Sequence, residues 1–168
     1  MRRREFLLGL VFVTGCKRDV AACAAPRPHE VTDASTAQFC GMALTEHGGP
    51  KGQIFIRGLA EPYWFASVRD TFAFAILPEM PKAISAIYVS DMARAKNWEQ
   101  PEPGLWVEAR NAVYVIRSKR RSGMGTDEAV PFSISASARD FAAANGGQVV
   151  SFAEMPSDYI LAAPSGEK

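Results

Sequence analysis

Two helix starts in this chain match, and the match constrains its fold more than any other feature. Ser67-Val68-Arg69-Asp70 and Ser137-Ala138-Arg139-Asp140 stand 70 residues apart. Each serine suits an N-cap with an acid three positions on, a capping box with Asp in place of Glu. The apolar pattern around them also repeats. The first half offers strands over 38–44 and 52–56, a helix over 67–77 and a strand over 83–89. The second offers strands over 105–109 and 112–118, a helix over 136–144 and a strand over 148–152. Gly48-Gly49 beside Pro50 can turn the first strand pair, and Gly146-Gly147 can end the second helix. Ile84, Ile87 and Val89, like Val149, Val150 and Phe152, have the branched or aromatic character of buried strands. The pattern predicts an α+β fold of two tandem ββαβ units packed together, over 38–92 and 93–163. A single mixed sheet with helices on one face is the alternative.

The ends carry different signals. Met1-Arg2-Arg3-Arg4 is a cationic start, followed by an apolar run from Phe6 to Val13 broken only by Gly9. A membrane-spanning helix needs about 20 apolar residues, so residues 1–15 are expected to be a signal peptide. Val13-Thr14-Gly15-Cys16 resembles a bacterial lipobox, which implies lipidation of Cys16 and anchoring by several acyl chains. Arg3-Arg4-Glu5-Phe6-Leu7 also resembles a twin-arginine export signal, and the general route stays open beside it. Lys17 stands where an aspartate would favour the inner membrane, so the outer membrane is the expected destination. Residues 16–37, with Pro26, Pro28 and many alanines, have the composition of a flexible lipidated tether. Residues 164–168 are expected to be a frayed tail.

Losing residues 1–15 removes three arginines and one glutamate and moves the formal charge from +1 to −1. Such a chain has no electrostatic reason to bind nucleic acid. The densest basic run, Lys119-Arg120-Arg121, sits beside glycine and suits a solvated loop.

Few residues suit an enzyme. The two histidines are His29 and His47, and there is no phosphate-binding glycine loop, no His-Glu-x-x-His and no Cys-x-x-Cys. The sulfurs remain. In a strand, Cys40 and Met42 would point to one face, a thiolate and a thioether side by side with Gly41 between them. That soft pair favours copper(I) over calcium, magnesium or manganese. A third donor is needed: Met124, between Gly123 and Gly125, is the first candidate, Met92 the second and His47 the third. Against a metal site stand two other readings. Cys40 and Met42 can simply pack in a core, or Cys40 can pair with Cys23 in an oxidising compartment.

Beyond these residues, the chain resembles a known family, the nitrous-oxide-reductase accessory lipoproteins called NosL. The resemblance rests on the lipobox, Cys40-Gly41-Met42, Gln53-Ile54-Phe55, the run from Tyr63 to Phe72, and Ala86-Ile87-Tyr88-Val89-Ser90-Asp91-Met92. It continues through Ala112-Val113-Tyr114-Val115-Ile116, Gly123-Met124-Gly125 and Glu128-Ala129-Val130-Pro131-Phe132. It implies a copper(I) metallochaperone in the bacterial periplasm, not an enzyme. The implied partners are the nitrous oxide reductase apoprotein, whose copper-sulfide site it serves, and a membrane ABC transporter complex. It also implies a ββαβ fold shared with organomercurial lyases and copper at Cys40 and Met42, with Met124 as third ligand. A thiol-dependent enzyme of that fold, or a scaffold lipoprotein without metal, are the alternatives.

Overall fold

Gly52–Ile56 (β1) is buried at every position, as a strand covered on both faces must be. The computed structural model describes residues 25–163. In it β1 lies between Tyr63–Phe65 (β2) and Ile84–Ser90 (β3), antiparallel to both. Val68–Ile76 (α1) joins β2 to β3. Ser67 caps it by accepting the Asp70 N–H at 3.0 Å, which satisfies one of the orphan donors of the first turn. Trp106–Glu108 (β4) then pairs with the free side of β3. In the second sheet Val113–Ile116 (β5) is central, between Val130–Phe132 (β6) and Gln148–Ser151 (β7). Ser135–Asn145 (α2) joins β6 to β7. The orders β2-β1-β3 and β6-β5-β7 are the same. The chain is therefore α+β, with the ββαβ sequence of elements twice over. Ser157–Leu161 (α3) packs on α1, where Arg69 Nε donates to the Ile160 carbonyl at 3.1 Å. No helix among the described residues is long and apolar enough to cross a membrane.

Several elements differ from expectation. Residues 38–44 are not a strand but a turn followed by the 3-10 segment Leu44–Glu46. The strand expected over 105–109 exists as β4, yet it pairs with β3 in the first sheet, so that sheet extends past residue 92. The second strand of each unit is instead β2 or β6, three residues long and immediately before a helix. Pro131 sits in β6 without penalty because β6 is an edge strand. The repeat also has a different register. Phe65 and Phe132 end equivalent strands, and Val68 and Ser135 open equivalent helices, a spacing of 67 residues. Ser137 lies inside α2, whose N-cap is Ile134 with no side-chain cap bond.

The tether expectation fails for its described part. Gln53 is fully buried in β1, and its amide must find partners for both ends. It accepts the His29 N–H at 2.9 Å and donates to the His29 carbonyl at 3.0 Å. The chain enters beside Phe55, Ile56 and Ile84, where Ala25 and Pro26 line a shared surface hollow. Tyr88 Oη donates to the Pro26 carbonyl, and Glu30 accepts the Gly104 N–H. Farther on, Ala37 bridges to Trp64 of β2. Composition does not reveal this docking, because at Pro26, His29 and Ala37 the engaged groups are backbone. The signal peptide, Cys16, Cys23 and the tail 164–168 lie outside the described residues.

The two sheets share one core. Phe72 of α1 meets Tyr114 of β5 edge-on at 5.0 Å and Phe152 at 4.9 Å. Two buried carboxylates lock the halves together reciprocally. Asp91, just after β3, accepts both the N–H and the hydroxyl of Ser133 at the entrance to α2. Glu128, just before β6, accepts the N–H groups of Val68 and Arg69 in the first turn of α1, each at 3.1 Å. Each half thus anchors the helix start of the other.

Candidate metal site

The sulfur motif is folded as a turn, not a strand. The Ala37 N–H donates to the Met42 carbonyl at 2.9 Å and the Gly41 N–H to the Ala37 carbonyl at 2.8 Å. Thr36 and Ala43 bridge below them. Gly41 has φ +70°, a conformation costly for a residue with a Cβ. This, and not relief of crowding in a strand, is why glycine separates the two sulfurs. Phe39 fixes the turn to the body, edge-on to Phe65 at 5.6 Å. Cys40 is an exposed free thiol and Met42 is 46 % exposed. The packed-core reading of this pair is therefore wrong.

The 3-10 segment Leu44–Glu46 returns the chain toward the turn, and the His47 N–H donates to the Leu44 carbonyl at 3.2 Å. His47 is buried, with Nε2 3.8 Å from Cys40 Sγ. The next residues form a platform. The Gly49 N–H donates to the Trp98 carbonyl at 3.1 Å, and Lys51 Nζ donates to the carbonyls of Gly48 and Gly49. Burial lowers the Lys51 amine from its ordinary 10.5 to about 8, against the opposing fields of Glu128 and Glu99.

Met124 arrives from the other half. Residues 121–127 form a tight hairpin, with the Gly125 N–H on the Ser122 carbonyl and the Ser122 N–H on the Thr126 carbonyl, both at 2.9 Å. Met124 is at its tip, 39 % exposed. Gly123 rests on the platform: a Cβ there would lie 2.4 Å from the Gly48 carbonyl oxygen and 3.0 Å from the His47 carbonyl carbon. The hairpin and the His47–Gly48 backbone are therefore in direct contact, and His47 in turn faces Cys40. Met92 does not join them. It packs with Val115, Val130, Phe132 and Ala138, its N–H on the Pro131 carbonyl. Met80 and Met155 pack on the main core. Burial thus separates the methionines, leaving Met42 and Met124 exposed on two loops that converge.

The basic run beside the hairpin is partly engaged: Arg120 lies over the Trp98 ring at 5.0 Å and Arg121 pairs with Asp127. Among the described residues no three His, Cys, Asp or Glu side chains are grouped to hold a metal. Here thiol and imidazole meet, and two thioethers are exposed on the adjoining loops, donor types that suit a soft ion with few ligands.

Gly123→Ala is expected to push the hairpin off the platform, because the atoms it meets are backbone and cannot swing aside. Copper(I) affinity should fall by about tenfold, the usual cost of disturbing the support of a metal ligand. Gly125→Ala is the control: nothing lies near its Cβ, so it should strain only its own backbone, by about 1 kcal/mol, and leave affinity unchanged. Chelator competition on both variants checks this.

The NosL family model matches residues 28–160. A copper-binding lipoprotein NosL from Achromobacter cycloclastes is 43 % identical over 163 residues, covering 95 % of this chain and 83 % of that protein. One from Stutzerimonas stutzeri is 30 % identical over 154 residues, covering 91 % and 78 %. The crystal structure of the copper chaperone NosL from Shewanella denitrificans superposes with a TM-score of 0.72 at 29 % identity, covering 77 % of this chain and 95 % of that one. The solution structure of apo-NosL from Achromobacter cycloclastes gives a TM-score of 0.51 at 42 % identity, covering 70 % and 94 %. With a family match across most of its length and relatives this similar, the chain belongs to the NosL family.

Proposed function

We propose that this chain is a copper(I) carrier of the bacterial periplasm, anchored through a lipid on Cys16, that binds one ion with Cys40, Met42 and Met124. The observation that carries this reading is the exposure of those three sulfurs on two loops that meet at His47–Gly48. A soft ion held by few donors at a surface can pass to a new protein by exchanging one ligand at a time. The names of the relatives, copper-binding lipoprotein and copper chaperone, support it. Delivery then goes to apo nitrous oxide reductase for its copper-sulfide site, with a membrane ABC transporter complex as the docking partner.

The contact of Cys40 with His47 would also suit a thiol nucleophile and its base. Such chemistry leaves Met42 and Met124 without a role, whereas a copper carrier uses both. The test is anaerobic titration of the purified protein with copper(I), followed by X-ray absorption at the copper edge. One equivalent in a sulfur-dominated shell is expected. No binding, or a shell of nitrogen and oxygen only, would overturn the proposal.

A further inference from the structure

Lys51 is a buried cation that the proposed copper chemistry does not use. Its residue is 7 % exposed, and it makes no ion pair among the described residues. A buried ammonium is expensive unless its protons find acceptors. Two of its protons go to carbonyls of one short loop, Gly48 at 3.0 Å and Gly49 at 2.7 Å. Its own backbone is held in turn by β3: the Lys51 N–H donates to Ser90 Oγ and the Ser90 N–H to the Lys51 carbonyl, both at 2.9 Å. The ammonium therefore ties a rigid strand pair to two glycines that have little conformational preference of their own.

Those glycines are what the two halves of the site share. His47, which faces Cys40, directly precedes them. Gly123 of the methionine hairpin lies on Gly48. By contrast, the Cys40-Met42 turn is held by its own bonds among Ala37, Gly41 and Met42 and owes nothing to Lys51.

We propose that Lys51 is a positioning residue of the copper site, fixing the Gly48–Gly49 loop so that the Met124 hairpin is seated against the Cys40-Met42 turn. The proposal rests on the Cys40-centred site described above. Losing the ammonium frees the loop and lets the hairpin withdraw, which removes the third donor while the first two remain.

The experiment uses the full chain in detergent, loaded anaerobically with copper(I). Lys51→Leu keeps an apolar side chain at this buried position, removes the donors and adds no metal ligand; Lys51→Arg keeps charge and donors; Cys40→Ser serves as the site control. For Lys51→Leu, affinity should fall by about tenfold, in the range seen when a group supporting a metal ligand is removed. Its copper-edge spectrum should move from three-coordinate toward two-coordinate, and Lys51→Arg should recover both. A general loss of stability would not change the coordination number of the bound ion. Val130→Ala, a core truncation in the second sheet, supplies the destabilised comparison. Where Lys51→Leu does not fold, Lys51→Ala takes its place, with the same shift expected. A wild-type spectrum and affinity in the Lys51 variants, with binding lost in Cys40→Ser, would overturn the positioning role alone. Equal binding by wild type and Cys40→Ser would instead overturn the copper site itself.

Discussion

Cys40→Ser is expected to lower copper(I) affinity by at least about a thousandfold, roughly 4 kcal/mol. The oxygen of serine is a hard donor that stays protonated, whereas thiolate is both soft and charged. The position itself should tolerate the change. Cys40 is exposed, its thiol meets His47 Nε2 only at a long 3.8 Å, and the turn is fixed by backbone bonds and by Phe39. The melting temperature without metal should therefore stay within a degree or two of wild type, as for other surface changes. Met42→Leu should cost less, because a thioether is the weaker ligand. Because the thiol must lose its proton to ligate, loading should release a proton, and Cys40→Ser should abolish that release. Copper competition with a chelator of known affinity, with proton release followed in weak buffer, measures both. A stable Cys40→Ser that binds as tightly as wild type would place the ion elsewhere.

Glu128→Ala is the change expected to cost the fold most. Glu128 Oε1 accepts from Val68, Arg69 and Ala129, and the side chain is buried. Removing it orphans three buried donors at about 1 kcal/mol or more each, so at least ~3 kcal/mol is expected in urea unfolding. Glu128→Gln keeps an acceptor and should cost less. The two variants also separate a pH effect. Burial pushes the Glu128 carboxyl from its ordinary 4.5 up to about 8, outweighing the N–H bonds and the Lys51 charge that pull it down. The native state thus holds a proton that the unfolded chain has released. Its contribution to stability is complete below about 4.5 and is lost as pH rises through 8, with a slope of at most ~1.4 kcal/mol per pH unit. Glu128→Gln should flatten that part of the curve. An unchanged profile in the glutamine variant would show that another group titrates.

How far residues alone reach is clearest by comparing particular segments. β1, β3, β5 and β7 are rich in branched and aromatic residues, and helix α1 carries a working serine cap, so they stand out locally. β2 and β6 do not. They are three residues long, and what makes them strands is pairing with β1 and β5, a long-range property. Cys40-Gly41-Met42 shows the opposite error: its residues suit an extended pair, but Gly41 and the bond from Ala37 to Met42 close a turn. The chemistry of the motif survives because a turn exposes both sulfurs as well as a strand face would. Convergence of the Met124 hairpin with His47 depends on Gly123 lying against Gly48, a contact between distant backbones with no trace in local pattern. The clue was only that glycine flanks Met124 on both sides.

The clasp of Gln53 on His29 has a mechanical consequence. The described chain enters beside Ile56 and Ile84, whereas Phe39 of the sulfur turn packs on Phe65, the register partner of Gly52 at the other end of β1, a strand of five residues or about 17 Å. Tension on the N-terminal segment from a membrane anchor would meet the Pro26 carbonyl bond to Tyr88 first and the paired bonds of Gln53 next. Both are loaded before the pull can reach Ala37 and the turn it closes. In a chain anchored as proposed, the clasp would act as a strain relief, like the collar on a cable, taking up a pull from the bilayer in the sheet before it reached the sulfur loop.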